Sequence, residues 1–436
     1  MFLWRKIGVV GSGLCGAFVL HELWERKDVF NVQAFSFWGG SKDEGEGQDL
    51  KLKLVQIVFR HGARTPISRL PPSIEQATWS TDLVKDVPHT LIDYHVESLD
   101  GGPRPPSPVE DSYQKHGPHK GGARWGQLTS LGQQQMFDLG QQLRKHYIEN
   151  HRFIDPEYNP QQVYVRSTNI KRTIESARCV LAGMFGNSQS GKEDPIRIYT
   201  SQVNKEIFWP NYVHCGHLGA FWKTAWGLLD TALPGYREDR LKLQRILGIE
   251  EARQFNIFGL RDELTARKAH GLPIPESLAA LEDVVEQRAT QCMAALVSGI
   301  EDGHSHALRL STGPVIDLLT KNMLRAQNTD NCHKLHLYSG HDTTLIPLLK
   351  ALGIFDDRWP PYAAHVTVEF YQDAKKNSFV KVLYIEEEKQ VQGCSAVLCP
   401  FEEFQEAMAT VALSHKTFWE NCKIDQKKPS QTTSSV

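Results

Sequence analysis

Three short apolar stretches of the chain each end in a cluster of charged and polar residues. Residues 52–59 first alternate between polar and apolar and then become apolar, which indicates a buried strand. Residues 163–165 and 335–339 have the same character over shorter lengths. Helical patterns follow the second and third stretches, at 170–185 and 343–352. Strands that are followed by helices predict an α/β fold with a doubly wound, mainly parallel central sheet flanked by helices.

The hydrophobic period changes between about residue 203 and residue 310. Helical patterns dominate this region and lie at 235–247, 249–270 and 275–299. We therefore expect an inserted helical cap. Before it, residues 129–149 predict a helix that covers the sheet, with Thr129 or Ser130 as its N-cap. The predicted division of the chain is a targeting leader and linker at 1–48, an α/β core at 49–202 and 311–425, the cap at 203–310 and a disordered polar tail at 426–436.

Composition narrows the class of protein. The 436 residues are 40% hydrophobic and 23% charged, which is ordinary for a globular chain and excludes a fibrous or largely disordered one. The formal net charge of -2 argues against a nucleic-acid partner, because nucleic-acid binding requires a surplus of basic residues. Eight cysteines are too few for a fold held together mainly by disulfides.

The first residues have the composition of a targeting leader. Arg5 and Lys6 precede an apolar run at 7–20, and no acidic residue occurs before Glu22. This run is shorter than the roughly 20 residues that span a bilayer. A mitochondrial presequence and a secretory signal both fit. The chain contains no Asn-X-Ser/Thr acceptor for N-glycosylation, which favours the mitochondrion.

The same segment contains a match to the dinucleotide-binding pattern G-x-G-x-x-G, at residues 11–16. Such a site requires an acidic residue at the end of the next strand to bind the ribose hydroxyls. Phe37 and Trp38 stand there instead. We therefore expect no nucleotide site in this segment.

The residues that follow the three predicted strands include cationic, imidazole and carboxylate side chains. Ligands of doubly wound sheets bind at the carboxyl ends of the strands, so these side chains could meet in one pocket. The six residues that carry this hypothesis are Arg60, His61, Arg64, Arg172, His341 and Asp342. Guanidinium groups donate paired hydrogen bonds that match phosphate oxygens. Neighbouring positive charges lower the pKa of a histidine that lies among arginines, and the resulting neutral imidazole is a nucleophile. A single carboxyl group in such a site suits proton donation to a leaving group.

The motifs resemble those of the histidine acid phosphatase family. The Arg-His-Gly-x-Arg-x-Pro signature lies at 60–66 and the later His-Asp pair at 341–342. Further matches lie at 126–129, Gly132, 139–140, 143–144, Tyr147, 166–168, Arg172, 342–345, 348–349, 360–363 and Glu369. Together they cover roughly residues 51–422. The resemblance implies a phosphoglycerate mutase-like fold and hydrolysis of phosphomonoesters without a metal or cofactor. A phosphoglycerate mutase-type isomerase is disfavoured, because Asp342 directly follows His341.

The resemblance also implies a role for each residue. His61 would attack phosphorus and carry the phosphoryl group, and Asp342 would protonate the leaving alcohol. The phosphate oxygens would be held by Arg60, Arg64, Arg172 and His341. Arg166 is the less certain member, with a structural role inside the sheet as the alternative.

The cysteines bear on structure and location. The resemblance implies the disulfides Cys394–Cys399 and Cys215–Cys422, and the cysteines left free would be Cys179, Cys292 and Cys332. Disulfides fit an intermembrane or secretory route better than a reducing matrix, so the location stays open. The run at 214–217 contains two His and one Cys, but it has no second ligand pair at the spacing of a zinc site, so we expect no metal there.

Within the family, the finer detail is most similar to members that hydrolyse lysophosphatidate. This similarity implies a lysophospholipid phosphomonoester as substrate, peripheral contact with a membrane and a monomeric enzyme. A broad acid phosphatase that acts on inositol phosphates or phosphosugars is the alternative. The large apolar residues at the start of the cap would either form its core or receive an acyl chain; they are Phe208, Trp209, Tyr212, Leu218, Phe221, Trp222 and Trp226.

Overall fold

The centre of the fold is a mixed nine-stranded sheet. The computed structural model describes residues 50–186, 195–300 and 304–423. The predicted leader at 1–48, with its glycine motif, and the predicted tail at 426–436 lie outside the described residues. The strands are β1 (Lys51–Arg60), β2 (Tyr94–Ser98), β3 (Val163–Ser167), β4 (Ile196–Thr200), β5 (Leu335–Gly340), β6 (His365–Gln372), β7 (Ser378–Tyr384), β8 (Glu387–Lys389) and β9 (Cys399–Pro400).

The strand order is β2-β4-β3-β5-β1-β6-β7-β8, and β9 pairs with β7. The five strands from β2 to β1 run parallel to one another. From β6 onward the pairing is antiparallel. The predicted α/β fold class with a doubly wound sheet is confirmed, and the parallel part contains all three predicted strands. Five of the nine strands belong to this parallel part, and the sequence analysis did not identify the antiparallel extension.

Helices cover both faces of the sheet and form the region between β4 and β5. Their bounds are α1 (Pro108–Gln114), α2 (Ser130–Leu143), α3 (Lys171–Phe185), α4 (Gly216–Ala232), α5 (Tyr236–Leu247), α6 (Ile257–Ala269), α7 (Glu276–Ala279), α8 (Glu282–Ser298), α9 (His304–Asn328), α10 (Asp342–Ala351), α11 (Phe401–Ala409) and α12 (His415–Asn421). A π-helical segment, Arg144–Asn150, extends α2. Thr129 is the N-cap of α2, as predicted, and its hydroxyl accepts a hydrogen bond from Gly132 N.

Strand β1 is buried from Leu54 onward and mostly apolar from Leu54 to Phe59, because both of its faces are covered there. Leu54 and Val58 pack in one apolar cluster with α9 and α10, and Ile57 and Phe59 pack in another with α2 and α3. Successive side chains of a strand point to opposite faces, so burial of both faces requires a continuous apolar run. Strand β5 lies between β3 and β1, and the carboxyl ends of the three strands are level with one another.

The described residues from 203 to 300 form helices and no strand. Helix α6 begins at Ile257, eight residues later than predicted, because the Asn256 side chain caps it by accepting from Gly259 N. The predicted helix at 275–299 is divided into α7 and α8. Helix α4 was not predicted as a helix, and the expected cap end at residue 310 falls inside α9. The division into core and cap stays a prediction, since the described residues from 50 to 423 belong to one compact unit.

Both predicted disulfides are present, and both involve cysteines near the end of the described chain. Cys215 at the start of α4 is bonded to Cys422 after α12, and Cys394 is bonded to Cys399. The cysteines that remain free in the described residues are Cys179, Cys292 and Cys332, as expected. None of the helices in the described ranges is both long enough and apolar enough to cross a bilayer.

Candidate active site

The signature loop after β1 is held against the start of α2 by a close contact between two glycines. A Cβ atom on Gly62 would lie 2.3 Å from the carbonyl oxygen of Gly132, and one on Gly132 would lie 2.0 Å from Ala63 O. Only glycine fits at either position. The Thr129 hydroxyl donates to Ala63 O at 3.0 Å, and Gln135 Oε1 accepts from Ala63 N at 2.8 Å. These contacts fix the backbone on which His61 sits.

The His61 imidazole is buried at the carboxyl end of β1 and has a defined tautomer. Its Nδ1 lies 2.8 Å from Gly62 O, and because a carbonyl only accepts, Nδ1 carries the proton. The lone pair therefore resides on Nε2. Burial, followed by the positive charges of Arg172, Arg64 and Arg60, holds the pKa of His61 well below its ordinary value. This lowered pKa favours the neutral, nucleophilic form of the ring.

Two of the predicted phosphate-binding arginines already have carboxylate partners. Arg60 Nη2 lies 2.9 Å from Asp342 Oδ2, and its guanidinium stacks on the Tyr362 ring at 4.3 Å. Arg64 forms a forked pair with Asp262, with Nη2–Oδ1 at 2.7 Å and Nη1–Oδ2 at 3.3 Å. Both arginines are buried, so these pairs fix the directions in which their remaining N–H groups point.

Arg172 differs from the other two arginines. It lies in the first turn of α3, is 6% exposed, and has no carboxylate within ion-pair distance among the described residues. Its Nε and Nη1 are buried without a hydrogen-bond partner. Leaving buried donors unpaired costs free energy, about 1–3 kcal/mol for each group. Charged donors beside a neutral imidazole are the arrangement that a bound phosphate would satisfy.

His341 and Asp342 begin α10 at the end of β5. The His341 ring lies with Nε2 3.0 Å from Thr168 Oγ1, and its edge approaches the His61 ring, with centroids 5.5 Å apart. Burial and then Arg172 lower the pKa of His341 well below its ordinary value. The structure therefore brings all six predicted residues to the carboxyl ends of three neighbouring parallel strands.

The Asp342 carboxylate is held by one ion pair and two hydrogen bonds. Its Oδ2 pairs with Arg60 Nη2 at 2.9 Å and accepts from Trp359 Nε1 at 3.0 Å, and its Oδ1 accepts from Thr343 N at 2.8 Å. Burial alone would raise the pKa of Asp342, but Arg60, Arg261, the Trp359 hydrogen bond and Arg64 together hold it well below its usual range. Asp342 is therefore ionised when the cavity holds no anion.

Five of the six predicted residues line a cavity of about 750 Å³, and Arg60 lies beside it, paired with Asp342, without being among the lining residues. Its floor is polar and includes His61, Arg64, Arg172, Arg261, Asp262, His341 and Asp342. Its upper walls are mostly apolar and include Ile67, Val109, Ile170, Trp209, Tyr212, Val213, Trp222, Phe258, Met293 and Trp359. A charged floor below apolar walls suits a ligand that has a phosphate at one end and an apolar group at the other.

The aromatic residues at the start of the cap divide between the two expected roles. Trp209, Tyr212 and Trp222 line the cavity, and Tyr212 stacks on Trp222 with centroids 4.2 Å apart. The other four pack into apolar clusters: Phe208, Leu218, Phe221 and Trp226. Periodicity alone could not separate the two groups, because both sets of side chains are large and apolar.

Arg166 lies outside the cavity. Its Nη2 is 3.1 Å from Glu206 Oε1, and its guanidinium lies 4.8 Å from the centre of the Phe208 ring. Glu206 is fully buried, so Arg166 neutralises a buried carboxylate, in line with the structural alternative. At the run 214–217, the only sulfur belongs to Cys215, which is in a disulfide, and His217 Nδ1 contacts Asn421 O at 2.7 Å.

The sequence analysis missed two charged residues of the floor, Arg261 and Asp262. Both lie on α6, nearly 200 positions after the signature. Their one sequence signal is the placement of Arg, Asp and Glu among apolar residues in a helix without a separate polar face. Charged residues buried inside a protein require partners, so such a run indicates that partners lie elsewhere in the fold.

Comparison with known families agrees with this geometry. The family model of the histidine phosphatase superfamily (branch 2) matches residues 51–385, so the chain belongs to this family. It is a phosphomonoesterase. The family predicted from the motifs is thereby confirmed. The phosphohistidine route that the family implies agrees with a neutral His61 whose Nε2 carries the lone pair.

Individual relatives extend the match over almost the whole chain. Lysophosphatidic acid phosphatase type 6 of Homo sapiens is 40% identical over 439 residues, which cover 98% of this chain and 96% of the human protein. The protein of the same name from Bos taurus is 39% identical over 384 residues, 86% of this chain and 87% of its own. Hafnia alvei phytase in complex with myo-inositol hexakis sulphate has a TM-score of 0.56 at 13% identity, over 86% of this chain and 99% of that one, which shows a shared fold.

Proposed function

We propose that this enzyme hydrolyses lysophosphatidate to a monoacylglycerol and phosphate. The observation that carries the proposal is the cavity itself, in which a floor of arginine and histidine side chains adjoins walls that include Trp209, Tyr212 and Trp222. The phosphate would bind at the floor and the acyl chain along the aromatic wall. The names of the relatives that match along most of their length support the same substrate.

The reaction follows from the atoms available. His61 Nε2 attacks phosphorus, an N–P bond forms, and the bond from phosphorus to the glycerol oxygen breaks. Asp342 gives its proton to the departing alkoxide. A water molecule then attacks the phosphohistidine, and the Asp342 carboxylate accepts the proton of that water. The N–P bond breaks, which releases phosphate and restores His61.

Proton donation requires Asp342 to be protonated, although neighbouring positive charges hold its pKa low. A bound phosphate offsets this effect. It would pair with Arg64 and Arg172 and bring negative charge close to the carboxyl, and both changes raise the pKa of a carboxyl group. Substrate binding would thus prepare the acid.

The test measures phosphate release by a protein that comprises residues 49–436, without added metal. It compares kcat/KM for oleoyl lysophosphatidate with kcat/KM for glycerol 3-phosphate. Burial of about six methylene groups would contribute about 5 kcal/mol, which corresponds to a preference of about 3,000-fold in kcat/KM. Tyr212→Ser should reduce turnover of the lipid and leave glycerol 3-phosphate within about twofold, and Tyr212→Phe is the matched control. His61→Ala should abolish both activities.

Equal rates on the two substrates would refute the lipid proposal. The pocket would then recognise only the phosphate, as in a broad acid phosphatase. Inositol phosphates or phosphosugars would be the next substrates to compare. The apolar walls argue against highly charged inositol phosphates, because they offer such a ligand few partners for its remaining phosphates.

We also propose peripheral contact with a membrane at the mouth of the cavity. Tyr212 and Val213 are 44% and 72% exposed there, an unusual position for adjacent large apolar side chains. Replacing Val213 with Ser should weaken co-sedimentation with lipid vesicles and leave hydrolysis of 4-nitrophenyl phosphate unchanged. Equal sedimentation would contradict membrane contact. We propose that the enzyme acts as a monomer, which light scattering would test.

For location, we propose the mitochondrion, supported by the basic and apolar leader at 1–48. The two disulfides favour an oxidising compartment such as the intermembrane space. A fluorescent reporter fused to residues 1–48 tests this proposal. Accumulation in the secretory pathway would support the alternative instead.

A further inference from the structure

Helix α6 supplies two consecutive charged residues to the active-site floor. Arg261 and Asp262 both line the cavity and are almost fully buried. Consecutive residues of a helix point in directions about 100° apart, so the two side chains reach different segments of the protein. Asp262 contacts the signature loop, and Arg261 contacts the side chain of Trp359.

Asp262 fixes the signature loop at two points. Its carboxylate forms the forked pair with Arg64, and Oδ2 also accepts from the backbone N–H of Ile67 at 2.7 Å. Burial lowers the pKa of Arg64, but Asp262 outweighs burial and raises it, so this guanidinium stays charged. The fork leaves Arg64 one direction in which to present its remaining donors.

Arg261 acts on the other end of the site. Its guanidinium lies 4.1 Å from the centre of the Trp359 ring and is itself held by Glu286 of α8, with Nε–Oε2 and Nη2–Oε1 both at 2.8 Å. The Trp359 indole N–H in turn donates to Asp342 Oδ2 at 3.0 Å. A chain of contacts therefore runs from the helical region to the proposed proton donor.

We propose that Arg261 and Asp262 are positioning residues for phosphoryl transfer, Asp262 by presetting Arg64 for the phosphate and Arg261 by fixing Trp359 against Asp342. This inference rests on the proposed roles of Arg64 and Asp342. It gives the helical region a part in the chemical step in addition to its contact with the substrate.

The direction in which phosphate affinity changes in Asp262→Asn shows whether Asp262 positions Arg64 or acts only through its negative charge. Asp262 is an anion beside an anion site, so as a mere neighbour it would repel phosphate, and Asp262→Asn would tighten phosphate binding. If Asp262 positions Arg64, the same change should raise the inhibition constant of inorganic phosphate and the KM for 4-nitrophenyl phosphate, each about tenfold, with a smaller change in kcat. Asp262→Glu, which keeps the charge, should recover part of the loss.

Asp239→Asn is the matched control, because Asp239 pairs with Arg288 at 2.8 Å in the same helical region but does not line the cavity. It should leave KM within about twofold of wild type. Thermal unfolding of each variant shows whether the fold is intact. Tighter or unchanged phosphate binding in a folded Asp262→Asn enzyme would overturn the inference for this residue.

The Arg261 branch is tested by the pH profile of kcat, using Trp359→Phe and Arg261→Gln. The charged and titratable groups that face Asp342 are Arg60 and Arg64 from the signature loop, Arg172 from α3, His341 beside it and Arg261 from α6. Loss of the indole hydrogen bond or of the Arg261 charge raises the pKa of Asp342. The alkaline limb of kcat should therefore move up by about half a pH unit or more.

An unmoved limb in both variants would overturn this branch, since a merely structural role would change activity without shifting the limb. His61→Ala separates the two levels of failure. If that variant keeps its activity, the proposed chemistry is wrong. If it is inactive while the Asp262 and Trp359 variants behave as wild type, only the positioning inference fails.

Discussion

Arg172→Met offers a strong test of the anion site, because it should reduce activity without reducing stability. Arg172 Nε and Nη1 are buried and lack partners. A bound phosphate would give them two hydrogen bonds between charged groups, each worth about 1.5–3 kcal/mol. Their loss amounts to about 3–6 kcal/mol, which lowers kcat/KM by about 100-fold to 10,000-fold at 1.4 kcal/mol per factor of ten.

The stability of the same variant should change in the opposite direction. A buried guanidinium without a carboxylate partner costs free energy in the folded protein, and methionine fills similar space without that cost. The free energy of unfolding, measured in urea without phosphate, should be equal to wild type or higher by about 1 kcal/mol. Phosphate should raise the melting temperature of the wild type, and this rise should be nearly absent in the variant.

Kinetics with 4-nitrophenyl phosphate and urea unfolding complete the assay. Lys171→Ala is the control, because Lys171 is the exposed cation next to Arg172 and pairs with Glu175 at 3.6 Å. It removes the same charge without removing a buried donor, so kcat/KM should change by no more than about threefold. If Arg172→Met folds and also stays within threefold of wild type, the assignment of Arg172 to the phosphate site is wrong.

Three further changes test other parts of the structure. Gly62→Ala should lose most of its activity, because its Cβ would overlap the Gly132 carbonyl, and an active, equally stable variant would contradict that contact. Cys422→Ser should lower the free energy of unfolding by about 3 kcal/mol more than Cys399→Ser does, because a disulfide that closes a longer loop restricts the unfolded chain more. The first bridge joins residues 207 apart and the second joins residues 5 apart. Equal losses in urea unfolding would refute this loop-entropy argument. Burial lowers the pKa of His336 to about 3, so between about pH 3 and 6.5 only the unfolded state binds a proton at this residue. The free energy of unfolding therefore falls with decreasing pH by about 1.4 kcal/mol per unit over this range. His336→Gln should flatten this slope in urea unfolding at several pH values, and an unchanged slope would show that the residue is not neutral in the fold.

The structure also explains why the six residues predicted from the sequence lie together. Arg60 ends β1, and His61 and Arg64 lie in the loop directly after it; His341 is the N-cap of α10, and Asp342 is its first residue. Parallel strands place such loops at a single edge of the sheet, so recognising the strands located the residues. Adjacency still required the strand order, in which β5 lies between β1 and β3.

The antiparallel half of the sheet and the details of the helical region were not predicted as well. Strands β6 and β7 follow no catalytic motif, and no pattern identified them as neighbours of β1. Helix α6 begins where the Asn256 side chain caps it, which moved its start from the predicted position. Such boundaries depend on one local hydrogen bond, while the predicted helix relied on a hydrophobic period that continues beyond it.

The sequence by itself determined the α/β class and the family and pointed to the six residues proposed for the site, because each of these depends on short segments whose local pattern is sufficient. Only the tertiary structure decided which side chains partner them. Asp262 meets Arg64 and Arg261 meets Trp359 across long stretches of chain, and those contacts depend on how the helices pack onto the sheet. The tertiary fold likewise decided that Tyr212 and Trp222 line the cavity while Phe221 is turned into an apolar cluster, since a helix face acquires its neighbours only on packing.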